Sequence, residues 1–196
     1  MKLYINGSPK LTNSNSNYFL NKLSHKDKIK FVYKDRFSEI LKNIKKDDTI
    51  ILAFPLYADG PPNKIIELFE YIKNNKINIK NKKIYTIINC GFWEAKQNRV
   101  AALIVQNFAN NNGARYMGSF NIGAGEVIGK CDKKKIYRLV SIPFLIKIRK
   151  FKVRINKSKK VALETTIRPM TKRLYVYLAN CSWKKKMINN GCYKNN

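Results

Sequence analysis

Apolar positions along the chain alternate between short continuous runs and stretches with helical spacing. Leu3, Tyr4 and Ile5 suit a strand covered on both faces; Gly7 and Pro9 turn the backbone, and Ser14, Asn15 or Ser16 can cap a helix carrying Tyr18, Phe19, Leu20 and Leu23. Residues 29–33 read as a second strand, and Phe37, Ile40, Leu41 and Ile44 recur at helical spacing within 35–45. The run TIILAFPLY, residues 49–57, predicts a central strand; the loop ADGPPN ends it and opens a helix bearing Ile65, Ile66, Leu68, Phe69 and Ile72. Residues 84–89 predict a fourth strand, whose loop CGFWEAKQN feeds a helix over about 100–110 that stops at Asn112-Gly113. A fifth strand is expected over 115–122, followed by GAGEVIG. This alternation predicts an α/β fold, a doubly wound five-stranded parallel sheet with helices on both faces.

From Asp132 the rhythm changes to a basic helical stretch, a break near Pro143, further helix to about Lys152, and mixed cations and aliphatics over 161–167. The expected organisation is a ligand-binding domain over 1–150 and a basic helical C-terminal extension over 151–196, used for packing or self-association. The segment SIPFLIKIRKFKVRI has the composition of a surface that lies on an acidic membrane, but the break at Pro143 points to helix packing instead.

Charge sharpens the division. The chain of 196 residues carries a formal net charge of +28; residues 130–196 hold 20 basic and 2 acidic side chains, against 20 and 10 in residues 1–129. Such a surface attracts anions, whether nucleotide cofactors, nucleic acid or acidic lipid. No basic-aromatic module accompanies the charge, and Lys is abundant throughout, so nucleic acid is disfavoured. The four cysteines have no metal-ligand or CxxC spacing, and no apolar run approaches a membrane span, which together with the strand-like start point to a cytoplasmic protein with reduced thiols.

In an open parallel sheet the ligand crevice lies beyond the carboxyl ends of the strands. Three loops converge there: 7–16, 55–62 and 90–97. The first offers helix N-terminal N–H groups and the hydroxyls of Ser8, Thr12, Ser14 and Ser16 to a phosphate; the second offers Tyr57 as an aromatic face; the third offers Gly91 for close backbone approach and Phe92 and Trp93 as walls. Together they describe a site for a phosphorylated flat heterocycle. Neither GxxxxGK[ST] nor GxGxxG is present. His25 sits in a charged turn and is expected to be exposed without a catalytic role; Cys90 reads as a small packing residue, and Glu126 as structural.

GSPKLTNSNS, DDTIILAFPLYADGPP, NCGFWEAKQN and NIGAGEVIG, in that order and spacing, resemble the bacterial flavodoxin-like NAD(P)H-dependent FMN reductases over residues 2–129, and RPMTKRLYVYLANCSWKKKMINNG is similar to the carboxyl tail of some members. The resemblance implies FMN as cofactor and NAD(P)H as co-substrate. It places Ser8, Lys10, Ser14, Asn15 and Ser16 around phosphate and ribityl, and Pro55, Leu56, Tyr57, Ala58, Gly91 and Phe92 around the ring; Trp93 and Glu94 are the substrate-facing candidates. Lys10 and the stretched TNSNSN depart from the Arg and compact Gly-Asn-Ser of many relatives, so the phosphate falls to Ser14 or Ser16. The implied activity passes a hydride from NAD(P)H via FMN to a small acceptor such as a quinone or free flavin, in a possible homodimer, with no protein acid or base required. Two other readings stand beside it. One is a flavodoxin-type electron carrier between proteins, against which the basic charge argues, since flavodoxins are typically acidic. The other is a flavin-free basic binding protein acting on nucleic acid or acidic membrane.

Overall fold

A computed structural model describes residues 1–24, 29–42, 44, 48–130, 132 and 135–192. His25 and Cys131 lie outside the described residues. Six strands, β1 (Lys2–Asn6), β2 (Ile29–Phe31), β3 (Thr49–Pro55), β4 (Lys83–Asn89), β5 (Arg115–Ile122) and β6 (Val161–Thr165), form one sheet in the order β2-β1-β3-β4-β5-β6. Every pairing is parallel. The helices are α1 (Asn15–Leu23), α2 (Phe37–Leu41), α3 (Asn63–Asn74), α4 (Arg99–Asn111), α5 (Gly125–Ile128), α6 (Lys135–Val140), α7 (Ile142–Asn156) and α8 (Lys172–Asn189).

The central strands β3 and β4 are buried almost throughout because both faces are covered. On one face, Ile40 and Leu41 of α2, Ile65, Leu68 and Phe69 of α3, and Ala101 and Val105 of α4 pack on Leu3, Ile5, Leu52 and Ile84. On the other, Phe19 and Leu20 of α1 and Phe144, Ile148, Phe151 and Ile155 of α7 pack on Tyr4, Ile51, Tyr85 and Phe120. Phe144 and Phe120 stack with 6.0 Å between centroids, while Phe151 meets Tyr85 edge-on. Each such buried side chain stabilises the fold by roughly 1.5–3 kcal/mol.

The sheet has six strands, where the sequence predicts five. The sixth, VALET, was hidden because Lys159 and Lys160 precede it and its burial is partial, so it lacks the continuous apolar signature of β3. The expected break near Pro143 falls at Ser141, between α6 and α7, and Pro143 itself has a defined place. It stands in the first turn of α7, where a proline costs no intrahelical hydrogen bond, and so does not interrupt that helix. Lys150, the expected domain boundary, falls inside α7, whose inner residues run on to Ile155.

Gly118 makes the sixth strand possible. The register of β4 and β5 shifts at Ile84/Tyr85, and immediately beyond it Gly118 takes φ +109° opposite Val161. A Cβ there would lie 1.7 Å from the Val161 carbonyl oxygen. Gly118→Ala is therefore expected to lower stability by about 3 kcal/mol or more, read from the urea midpoint. Helix α8, by contrast, has no buried residue. A chain ended after Met170 is expected to keep its cooperative unfolding transition, whereas one ended at Lys150 should lose it with β6 and the inner turns of α7.

Candidate functional site

The β1–α1 connection is ordered by one buried amide. Asn6, the last residue of β1, accepts from the Ser8 N–H through Oδ1 (2.9 Å) and donates through Nδ2 to Ser14 Oγ (3.3 Å). Ser14 is the N-cap of α1, and its Oγ also accepts from the Asn17 N–H (3.1 Å). Ser8 Oγ accepts from the Lys10 N–H at 3.3 Å. A second amide, Asn89 at the end of β4, donates to Ser16 Oγ (3.2 Å) and the Phe54 carbonyl (3.1 Å). In Ser8, Ser14 and Ser16 the hydroxyl oxygen is thus engaged as an acceptor, which leaves the proton to donate. The backbone N–H groups of Asn15 and Ser16, at the first two positions of α1, have no intrahelical acceptor.

These donors open on a cleft of about 730 Å³ at the carboxyl ends of β1, β3 and β4. From β1 the chain turns outward to β2, and from β3 it turns the other way to β4, so the cleft stands where the connections diverge. Ser8, Lys10, Ser14, Asn15 and Ser16 line one side, Pro55, Leu56 and Tyr57 a second, and Cys90 and Gly91 a third. Lys130 and Lys186 bring further positive charge; Glu126 and Asp132 also border the cleft, and Asp132 pairs with Lys22 at 2.8 Å.

Local backbone chemistry sets these walls. Tyr57 and Gly60 exchange backbone hydrogen bonds around Ala58 and Asp59, both at positive φ, so that Tyr57 stands half exposed beside the cleft. Burial, with a smaller contribution from Tyr33, pushes the Tyr57 phenol up. The β4 loop is clamped from behind: Ala124 N–H donates to the Phe92 carbonyl and Gly125 N–H to the Cys90 carbonyl. Gly123 has no room for a side chain, because a Cβ would lie 2.2 Å from the Trp93 carbonyl oxygen. Gly129 likewise accommodates Asn15, whose Oδ1 would be 2.0 Å from an added Cβ. At Gly91 an added Cβ meets nothing within 4 Å in the protein.

The sequence candidates therefore divide. Ala58 sits at the tip of its turn, Phe92 is exposed, and neither borders the cleft. Trp93 and Glu94 line a different hollow of about 570 Å³ with Lys147, Thr165, Thr166 and Arg168. Cys90 is buried and points its thiol at the Phe92, Glu94 and Ile122 carbonyls; burial, the largest influence, pushes it up and keeps it protonated. Asn6, Asn89, Lys130 and Lys186 were missed. The signal for the two amides was present, since the apolar runs of β1 and β4 both end in Ile-Asn.

Helix α8 reaches this region from the far end of the chain. Tyr175 Oη donates to the Gly91 carbonyl, the Tyr175 ring lies 5.7 Å from Trp93, and Lys172 pairs with Glu94. The hydrogen bond from Lys172 holds the Glu94 carboxyl below its ordinary range. A lowered carboxylate pKa means that this tether is fully formed above the unfolded value of about 4.3 and is lost as the pH falls through the lowered folded value. Glu94→Gln is expected to speed amide exchange in α8 at neutral pH while leaving the sheet unchanged. Asn89→Ala, which strips a buried donor from two acceptors, should cost about 1–3 kcal/mol in chemical unfolding.

No family model and no curated protein sequence matches the chain. Solved structures do. An NADPH-quinone reductase from P. pentosaceus is 17% identical over 63% of this chain and 85% of its own, with a TM-score of 0.52. The Trp repressor binding protein from Bacillus subtilis is 14% identical over 63% and 84%, at 0.56. The general stress protein 14 from Treponema denticola, solved in complex with FMN, is 14% identical over 76% and 97%, at 0.54. At these identities the likeness is one of fold. The strand order β2-β1-β3-β4-β5 is the flavodoxin-like order, here extended by β6.

Proposed function

We propose that the protein is an FMN-dependent NAD(P)H oxidoreductase that reduces a small acceptor such as a quinone or a free flavin. The observation that carries this reading is the set of donors at the start of α1: three serine hydroxyls and two orphan N–H groups at a positive helix end, opening on a cleft with an aromatic wall. The residues fit FMN. The cleft volume of about 730 Å³ lies within the roughly 300–1,000 Å³ of cofactor sites, and the bordering Lys10 and Lys130 suit a phosphate.

In this reading Ser8, Lys10, Ser14, Asn15 and Ser16 surround the phosphate and ribityl chain, with the serine hydroxyls donating to the phosphate. Pro55, Leu56, Tyr57 and Gly91 border the ring, and Ala58 and Phe92 act through the conformation of their turns. Bound FMN would supply hydride acceptance from NAD(P)H and its delivery to the acceptor. The chain's own part is to bind, orient and wall off the ring, and Cys90, protonated and turned into the backbone, takes no part. The half-exposed Tyr57 leaves the cleft open on one side for a second planar molecule. The fold of the quinone reductase and of the FMN-bound stress protein supports the same class of activity.

The purified protein is expected to carry flavin absorbance that bleaches on anaerobic addition of NADPH or NADH. A flavin that neither nucleotide reduces would favour an electron carrier, and a chain that takes up no FMN would exclude both. Ser8→Ala should weaken FMN by about ten-fold, from the roughly 1.5–3 kcal/mol of a charge-assisted hydrogen bond, with a smaller effect on riboflavin. Gly91→Val, which meets open space in the protein alone, should leave stability unchanged while lowering flavin affinity in a fluorescence titration.

A further inference from the structure

Helix α7 is apolar on two opposite sides. Phe144, Ile148, Phe151 and Ile155 face the sheet. On the far side Ile142, Ile146 and Val153 are exposed, Ile146 by 62%, and Leu139 of α6 continues the stripe at helical spacing. Ser141, where its N–H donates to the Tyr137 carbonyl and its carbonyl accepts from Leu145, joins α6 to α7 with little interruption. Arg149 and Lys150 are exposed between Ile146 and Val153. Residues 133–163 contain 12 basic side chains and no acidic one. A solvated helix face is ordinarily polar, and a stripe of aliphatics flanked by cations matches a partner that is both anionic and apolar.

We infer that the outer face of α6 and α7 docks on the surface of an anionic lipid bilayer. Charge complementarity selects this occupant. A symmetric contact with a second copy would lay the same cationic stripe against itself. Nucleic acid would use Arg149 and Lys150 on phosphates but give Ile142, Ile146 and Val153 nothing to contact. An acidic bilayer takes both, with the aliphatics entering the headgroup boundary and the cations meeting lipid phosphates. Among the described residues no helix is long and apolar enough to cross a membrane, so the contact lies in the plane of the surface. The break near Pro143 separates α6 from α7 and leaves Ile142, Ile146 and Val153 together on one unbroken helix, so it does not count against such a face.

The test is co-sedimentation of the full chain with vesicles of phosphatidylcholine alone and of equimolar phosphatidylcholine and phosphatidylglycerol. Binding to the second alone is expected. It should weaken about ten-fold in the double variant Ile146→Gln, Val153→Gln and comparably in Arg149→Gln, Lys150→Gln, or on adding salt. All four positions are exposed, and an unchanged circular dichroism melt verifies the fold. Absence of binding to either vesicle, or equal binding by the Ile146/Val153 variant and the parent chain, overturns the inference. So does a dimer in sedimentation that the Ile146/Val153 variant dissociates, or retention on a DNA duplex without vesicle binding.

Discussion

The cleft depends on two polar side chains at the carboxyl ends of buried parallel strands. A strand covered on both faces delivers its last residue into a region with little water, where an unpartnered polar group is costly. The Thr165 hydroxyl at the end of β6 has no partner among the described residues, whereas β1 and β4 end in amides that do. Asn6 and Asn89 solve this with side-chain amides that bind the opening of α1 from two sides, through Ser14 and Ser16 respectively. The helix start is thereby fixed relative to β1 and β4 before any ligand enters. Removal of either amide would release the geometry of the cleft as well as strand-end hydrogen bonds.

The same economy governs the loops. Gly123 and Gly129 stand where another part of the chain passes too close for a side chain, against the Trp93 backbone and the Asn15 amide. The polypeptide around the cleft is therefore held by close backbone approach together with the buried Asn6 and Asn89 amides and that of Asn15, and side chains such as Tyr57 and Lys10 project from that frame. This separation allows the cleft surface to vary in chemistry while the frame stays fixed.

How much was legible in the sequence follows from what each segment buries. β1, β3 and β4 were readable because two-sided burial imposes continuous apolar runs, and the serine-rich cap of α1 because capping has a narrow residue vocabulary. β6 was not, since a partly covered strand flanked by lysines looks like a charged loop. Tyr57, Gly91 and the serines were brought together at one cleft, whereas Trp93 and Glu94 were carried to its neighbour by a bend that local sequence does not encode. Lys186 could not have been assigned to the cleft at all: its place depends on how α8 crosses Gly91 and Glu94, contacts about 80 residues distant in the chain.

The two outer strands have a consequence for the chain's behaviour at high concentration. An open sheet exposes unpaired backbone groups at both margins, and these are templates for uncontrolled addition of strands from other molecules. Here one margin, β2, is only three residues long. At the other, β6, the Lys147 ammonium occupies the Glu164 carbonyl, and Arg99 binds the same residue's carboxylate at 2.8 Å. One border is short and the other carries a cation on one of its carbonyls, so each margin offers an incoming strand less than a full ladder to copy.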